Sequence, residues 1–203
     1  MSRYATSFVL AYHGCDKALG IEAVERKTEL LASQSEFDWL GPGAYFWESD
    51  PIRAMEWAQS KKKRWQCETP FVIGAAIDLG NCLDLMVREN IALLVPAYET
   101  LKAEAEATGG KLPINKDVKG APGSKTLRKL DCAVISQLHQ LIDEQPEEGL
   151  PGIGRLESYD TVRGLFPEGP EVFPGSGFQT QTHAQIAVRN MKCIKGLFYF
   201  TAP

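Results

Sequence analysis

A histidine beside a glycine, Tyr12-His13-Gly14-Cys15, closes the first apolar run of the chain. An imidazole can hold a hydroxyl or move a proton near neutral pH, and a glycine lets a ligand reach the main chain. Gly41-Pro42-Gly43-Ala44-Tyr45-Phe46-Trp47 then joins a Gly-rich turn to three consecutive aromatic residues. Ser49-Asp50-Pro51 follows as a helix start, with a capping residue before a first-turn proline, and leads into Ala54 and Trp57. Near the C-terminus, Thr182-His183-Ala184-Gln185-Ile186-Ala187-Val188 reads as a strand. His183 and Gln185 stand two apart, so a strand projects both from the same side. Singly, each feature has a plain reading: a core histidine, a turn, a buried strand, an amphipathic helix for Trp57, a solvated helix end for Lys61–Arg64. The five cysteines are scattered with no CxxC pair, so reduced, buried thiols are expected and no metal site is.

The elements that must position these residues follow from composition and period. Residues 4–14 read as an opening strand and 18–32 as a helix. Residues 44–47 read as a short strand, and the helix that starts at Pro51 ends in Lys61-Lys62-Lys63-Arg64. Residues 69–79 read as a buried strand, and 84–108 as helical with a kink or break at Pro96. Residues 109–124 are the clearest loop. Residues 125–144 carry Leu127, Leu130, Val134, Leu138 and Leu141 at helical spacing. Residues 146–177 read as a long irregular crossing, within which Asp160 and Arg163 read as a local surface pair. Two strands, 180–189 and 193–201, close the chain around a turn at Asn190. Strands at both ends and in the middle, with helices between, imply an α+β fold whose antiparallel sheet is split into two parts.

Together the three motifs resemble the ADP-ribosyltransferase superfamily, in the branch similar to poly(ADP-ribose) polymerases and diphtheria toxin. That branch carries a His-Gly strand, a Gly-x-Gly-x-Tyr-Phe strand followed by a helix, and a late strand bearing a Glu. The resemblance covers roughly residues 8–85 and 178–200, including Ala76-Ile77-Asp78-Leu79-Gly80-Asn81-Cys82-Leu83-Asp84-Leu85 as the next core strand and its turn. It implies a single catalytic domain over 1–203, with 86–177 as a helical or loop insertion, and NAD as co-substrate without a metal. It implies that Gly14 clamps the nicotinamide carboxamide, that His13 bonds an adenosine ribose hydroxyl, and that Tyr45 stacks on the nicotinamide. A second aromatic comes from the following helix, where Trp57 is nearest, although ungapped counting puts Glu56 at that position. Glu168 and Glu171 lie where the family's acceptor-recognition loop would fall.

Gln185 stands where the family has its catalytic Glu. An amide keeps the hydrogen bonds but has no charge and cannot act as a base. A unit charge about 4 Å from the ribose, at an effective dielectric near 20, is worth roughly 4 kcal/mol, on the order of a thousandfold in rate. Chain polymerisation is therefore not expected. The resemblance implies mono-ADP-ribosyl transfer to a protein or nucleic acid, with His183 as a partial substitute for the missing carboxylate, as in a bacterial toxin, effector or defence enzyme, which would have an inhibitory partner. An NAD glycohydrolase and a module that binds NAD or ADP-ribose without turnover are the alternatives. The RNA 2′-phosphotransferase branch expects further basic site residues that the sequence does not offer.

Composition bounds these readings. The 203 residues carry Lys+Arg 22 against Asp+Glu 26, a net charge of −4, so nucleic-acid contact would have to come from a local patch. Lys111, Lys116, Lys119, Lys125, Arg128 and Lys129, with Lys61–Arg64, read either as that patch or as a solubilising loop. No apolar run approaches the ~20 residues of a membrane helix. The start offers too few apolar residues for a secretory signal, so no membrane partner and a cytoplasmic location are expected.

Overall fold

The computed structural model describes residues 8–63, 67–117, 126–149 and 152–201. Tyr4, Arg64, Lys119 and Lys125 lie outside the described residues. Strands β1 (Phe8–Asp16) and β3 (Pro70–Asp78) pair antiparallel along their full length, from Phe8↔Asp78 to Asp16↔Pro70. They join β2 (Ala44–Glu48), β4 (Cys82–Asp84), β5 (Thr161–Phe166), β6 (His183–Val188) and β7 (Ile194–Tyr199) in one seven-stranded sheet. Its order is β4-β5-β6-β2-β1-β3-β7, with only the β4–β5 pair parallel. The fold is mixed α+β, with a mostly antiparallel sheet. The sheet is continuous where a division into two parts was expected, although its β1–β2 junction is a narrow seam, sharing only Ala11↔Glu48 and Tyr12↔Trp47.

Among the described residues, five helices flank the sheet: α1 (Lys17–Val24), α2 (Pro51–Lys63), α3 (Arg88–Ala92), α4 (Leu94–Thr108) and α5 (Lys129–Asp143). Ala23 of α1 packs into a core with Ala11, Phe46, Ile73, Ala75, Ile77, Ile186 and Val188. On the opposite face, α4 and α5 bury Ala97, Val134, Leu138 and Ile142 against Val162, Phe166 and Ala187. Helix α2 starts where Ser49-Asp50-Pro51 predicts, with the Asp50 carboxylate accepting from Arg53 N–H at 2.9 Å. It lies on β1 so closely that a Cβ on Gly14 would come within 2.1 Å of the Ala54 carbonyl oxygen. Among the described residues, no helix is long and apolar enough to cross a membrane.

Several expectations change. Helix α1 stops at Val24 rather than 32, because Arg26 takes a left-handed φ of 59° and Leu31 faces solvent. Pro96 kinks nothing: the helix breaks at Leu93, and Pro96 sits in the first turn of α4, where no intrahelical N–H is needed. β5, hidden among glycines and prolines, lies between β4 and β6, so residues 86–177 supply a sheet strand as well as helices. β6 and β7 do not pair with each other; they end up on different sides of the seam. Asp160 and Arg163 do not pair either. Arg163 forks onto both Glu48 oxygens at 2.6 and 2.8 Å and reaches Asp84 at 3.1 Å, while Asp160 accepts from Asn81 N–H and the Asn190 side chain. All five cysteines are free thiols, Cys82 half-buried and the rest buried.

Candidate active site at the sheet seam

One side chain interrupts the ladder between β1 and β2. Ser49 N–H donates to the Leu10 carbonyl at 3.0 Å, which turns the main-chain groups of Leu10, Tyr12 and Gly14 toward β2. The next rung would join Gly14 N–H to the Tyr45 carbonyl. Pairing ends one step earlier, at Tyr12↔Trp47, and that carbonyl accepts from His13 Nδ1 at 2.7 Å instead. A carbonyl can only accept, so Nδ1 carries the proton and Nε2 offers a lone pair. Burial lowers the His13 pKa, the Tyr45 bond opposes this, and the nearby Lys61 charge lowers it further. His13 is thus a neutral imidazole of fixed tautomer. The N–H and C=O of Gly14 face the seam without a strand partner.

The sheet register sorts the other candidates. Tyr12 and Gly14 of β1, Tyr45 and Trp47 of β2, and His183, Gln185 and Ala187 of β6 share one face. His13 points to the other, with its ring 5.4 Å from Phe46. Gly14 is glycine because α2 occupies the space of its Cβ, not because a ligand does; what it offers the seam is its main chain. The Tyr45 hydroxyl is fully engaged, accepting from Leu40 N–H at 2.9 Å and donating to the Gly41 carbonyl at 2.8 Å. Tyr45 therefore fastens the turn before β2, and its half-buried ring packs with the α4–α5 core.

Gln185 is pinned from both ends. The Trp39 indole N–H can only donate, so Gln185 Oε1 accepts from it, at 2.6 Å, and Nε2 donates to His183 Nε2 at 3.0 Å. His183 Nδ1–H then donates to the Gln181 carbonyl at 2.6 Å. This chain of bonds holds His183 neutral, in line with a pKa lowered by burial. Trp39 reaches Gln185 across Gly164, where a Cβ would lie 2.7 Å from the indole. Phe166 stacks on His183 with centroids 5.5 Å apart and planes at 28°.

A charged rim adjoins this core. Glu168 lies 4.0 Å from His183 Nδ1 and 2.6 Å from the Arg53 guanidinium, which also reaches Glu56 at 3.6 Å. Trp57 packs beside Trp47 at 5.9 Å, and Trp47 stands 6.3 Å from His183. The Trp47 indole N–H is buried with no hydrogen-bond partner among the described residues. Around the seam, Gly14 presents its main chain and His13 lies on one face of the sheet, while Tyr45 on β2 and Gln185 and His183 on the adjoining β6 lie on the other, with Trp57 packed beside Trp47. Glu171 is turned elsewhere, accepting from Gly175 N–H.

Trp39, Phe166 and Arg53 were not legible as site residues. Trp39 and Phe166 come from a loop and from an unrecognised strand, and no local period marks either. The helix-start signal at Pro51 places Arg53 on α2 but says nothing of its partner Glu168, 115 positions on.

Comparison with known proteins finds no family model that matches the chain, and no curated protein or solved structure that matches it.

Proposed function

We propose that the protein binds NAD in the seam between β1 and β2 and transfers its ADP-ribose to a macromolecular acceptor. The observation that carries this reading is the open rung: main-chain N–H and C=O of Gly14 face the seam beside a neutral His13 whose Nε2 is an acceptor. An amide such as the nicotinamide carboxamide needs one donor and one acceptor side by side, and Gly14 offers both. A ribose hydroxyl needs an acceptor, which Nε2 supplies. The half-buried ring of Trp57, beside Trp47, suits a flat heterocycle. In the reaction the bond between ribose C1′ and nicotinamide breaks, and nicotinamide leaves with the electron pair. The acceptor's nucleophile bonds to C1′ and gives up its proton.

Gln185 offers the ribose a hydrogen bond but no charge, and Glu168 is already balanced by Arg53. Turnover on this reading is slow and leans on positioning. The same observation favours a second reading, NAD or ADP-ribose binding without turnover. One experiment separates the two: incubation with adenylate-labelled NAD and a whole-cell lysate. Label entering protein or nucleic acid, together with nicotinamide release, supports transfer. Tight NAD binding without either product supports the binding module, and nicotinamide release at the same rate without lysate supports hydrolysis.

A further inference from the structure

Arg128 differs from the other arginines around the site. Arg53 and Arg163 have their guanidinium forks filled by carboxylates at 2.6 to 3.1 Å. Arg128 has no hydrogen bond to any acceptor among the described residues. Its nearest carboxylate, Asp131, stands 3.9 Å from Nε, beyond hydrogen-bond reach. Yet its side chain is only 17% exposed. The guanidinium carbon lies 4.8 Å from the Trp39 ring centroid and 4.5 Å from that of Phe166, in the angle between rings inclined at 58°. These are the rings that hold Gln185 and His183, so Arg128 stands one ring away from each.

Cation–π contact holds the guanidinium through its faces. Its N–H donors point along its edge, and donors that find no acceptor among the described residues in so buried a place are costly to leave unmet. Such an edge matches a planar pair of oxygens on an anion. The N-terminal N–H groups of α5 are not the attraction, because Asn115 Oδ1 already accepts from Leu130 and Asp131.

The geometry points to Arg128 as a phosphate-recognising residue of this site, its guanidinium edge taking non-bridging oxygens of the ligand. The choice of phosphate rests on the NAD reading above. NAD brings a pyrophosphate, and a nucleic-acid acceptor brings a backbone phosphate. A ligand without phosphate gains nothing from Arg128.

The test titrates three probes into the full chain: ADP-ribose, a short single-stranded oligonucleotide, and nicotinamide. Arg128→Gln should weaken ADP-ribose or the oligonucleotide by about tenfold or more, leaving nicotinamide unchanged. Arg128→Lys, which keeps the charge but not the planar fork, should fall between. Asp131→Asn, which removes the distant counter-charge, should tighten the same probe. Loss confined to ADP-ribose identifies the pyrophosphate, and loss confined to the oligonucleotide identifies the acceptor. The proposal is overturned if a folded Arg128→Gln variant binds both phosphate probes as the parent does, or if the parent binds neither. Should Arg128→Gln fail to fold, Arg128→Lys and Asp131→Asn decide by the same criteria. Unchanged ADP-ribose and oligonucleotide affinity in a variant whose parent binds NAD retracts Arg128 alone. Arg128-dependent oligonucleotide binding without NAD binding retracts the NAD reading and keeps Arg128.

Discussion

Because Gln185 donates to His183 Nε2, replacing it by Glu does more than add a charge. A carboxylate still accepts from Trp39 but has no proton for His183. His183 then takes up a proton at Nε2, its pKa rises, and the pair is neutral overall until the imidazole releases that proton. Nicotinamide release by Gln185→Glu is therefore expected to climb with pH, as the uncompensated carboxylate appears beside the developing ribose cation. A flat profile in a variant that still binds NAD would take residue 185 out of the reacting centre. His139 makes a different test of burial. It is 4% exposed, neither ring nitrogen has a partner among the described residues, and burial pushes its pKa down to about 3, helped by Arg189 and opposed by Asp143. The folded pKa lies below the unfolded value of about 6.5, so the unfolded chain binds the proton first. The contribution is fully present above pH ~6.5 and is lost as pH falls toward 3, by up to about 1.4 kcal/mol per unit. His139→Leu should raise stability at neutral pH by about 1–3 kcal/mol and flatten this decline. Urea melts at neutral and mildly acidic pH read both effects, and an equally steep acid dependence in the variant would contradict them.

Two close backbone approaches decide whether the elements can deliver these side chains. A Cβ at Gly164 would meet the Trp39 indole at 2.7 Å, so Gly164→Ala should displace Trp39 and free Gln185. The expected cost is about 1–3 kcal/mol, a fall of at least roughly 2 °C in melting temperature, with a red shift in tryptophan fluorescence. An unchanged spectrum and melt would show that the indole has room to spare. At Gly14 the obstacle is the Ala54 carbonyl, and Gly14→Ala should cost more because backbone cannot rotate away. What the sequence made legible follows the same division. Strands β1, β2, β3 and β6 and helix α2 announce themselves through apolar runs and a capping signal, and the same-side placement of His183 and Gln185 follows from strand period alone. β5 stayed hidden because Gly164 and Arg163 break its apolar run. Those two residues are needed there, one to admit Trp39 and the other to tie β5 to Glu48 and Asp84. The open rung at Gly14 was invisible for another reason: it depends on a 2.7 Å bond between residues 32 apart, and no local pattern encodes it.

Across the whole molecule, a sheet of seven strands is held together at its middle by two paired positions, and the chemistry-bearing residues collect on both sides of that junction. β3 and β7 anchor one half and β4 to β6 the other, with α2 over β1 and α5 over β5 and β6. The net charge of −4 gives no general attraction for a dinucleotide, so affinity must arise from contacts within the seam. His13 is the residue through which that claim is most exposed, since its Nδ1 bond opens the rung and its Nε2 is left to receive a hydroxyl. The decisive measurement is a calorimetric titration of NAD into the parent and into His13→Ala, with the fold of each checked by circular dichroism. The parent should bind NAD, and His13→Ala should bind it more weakly by about 0.5–1.5 kcal/mol, a few-fold to roughly tenfold in Kd. A parent that binds no NAD, or a folded His13→Ala variant that binds it equally well, would contradict the seam as the NAD site.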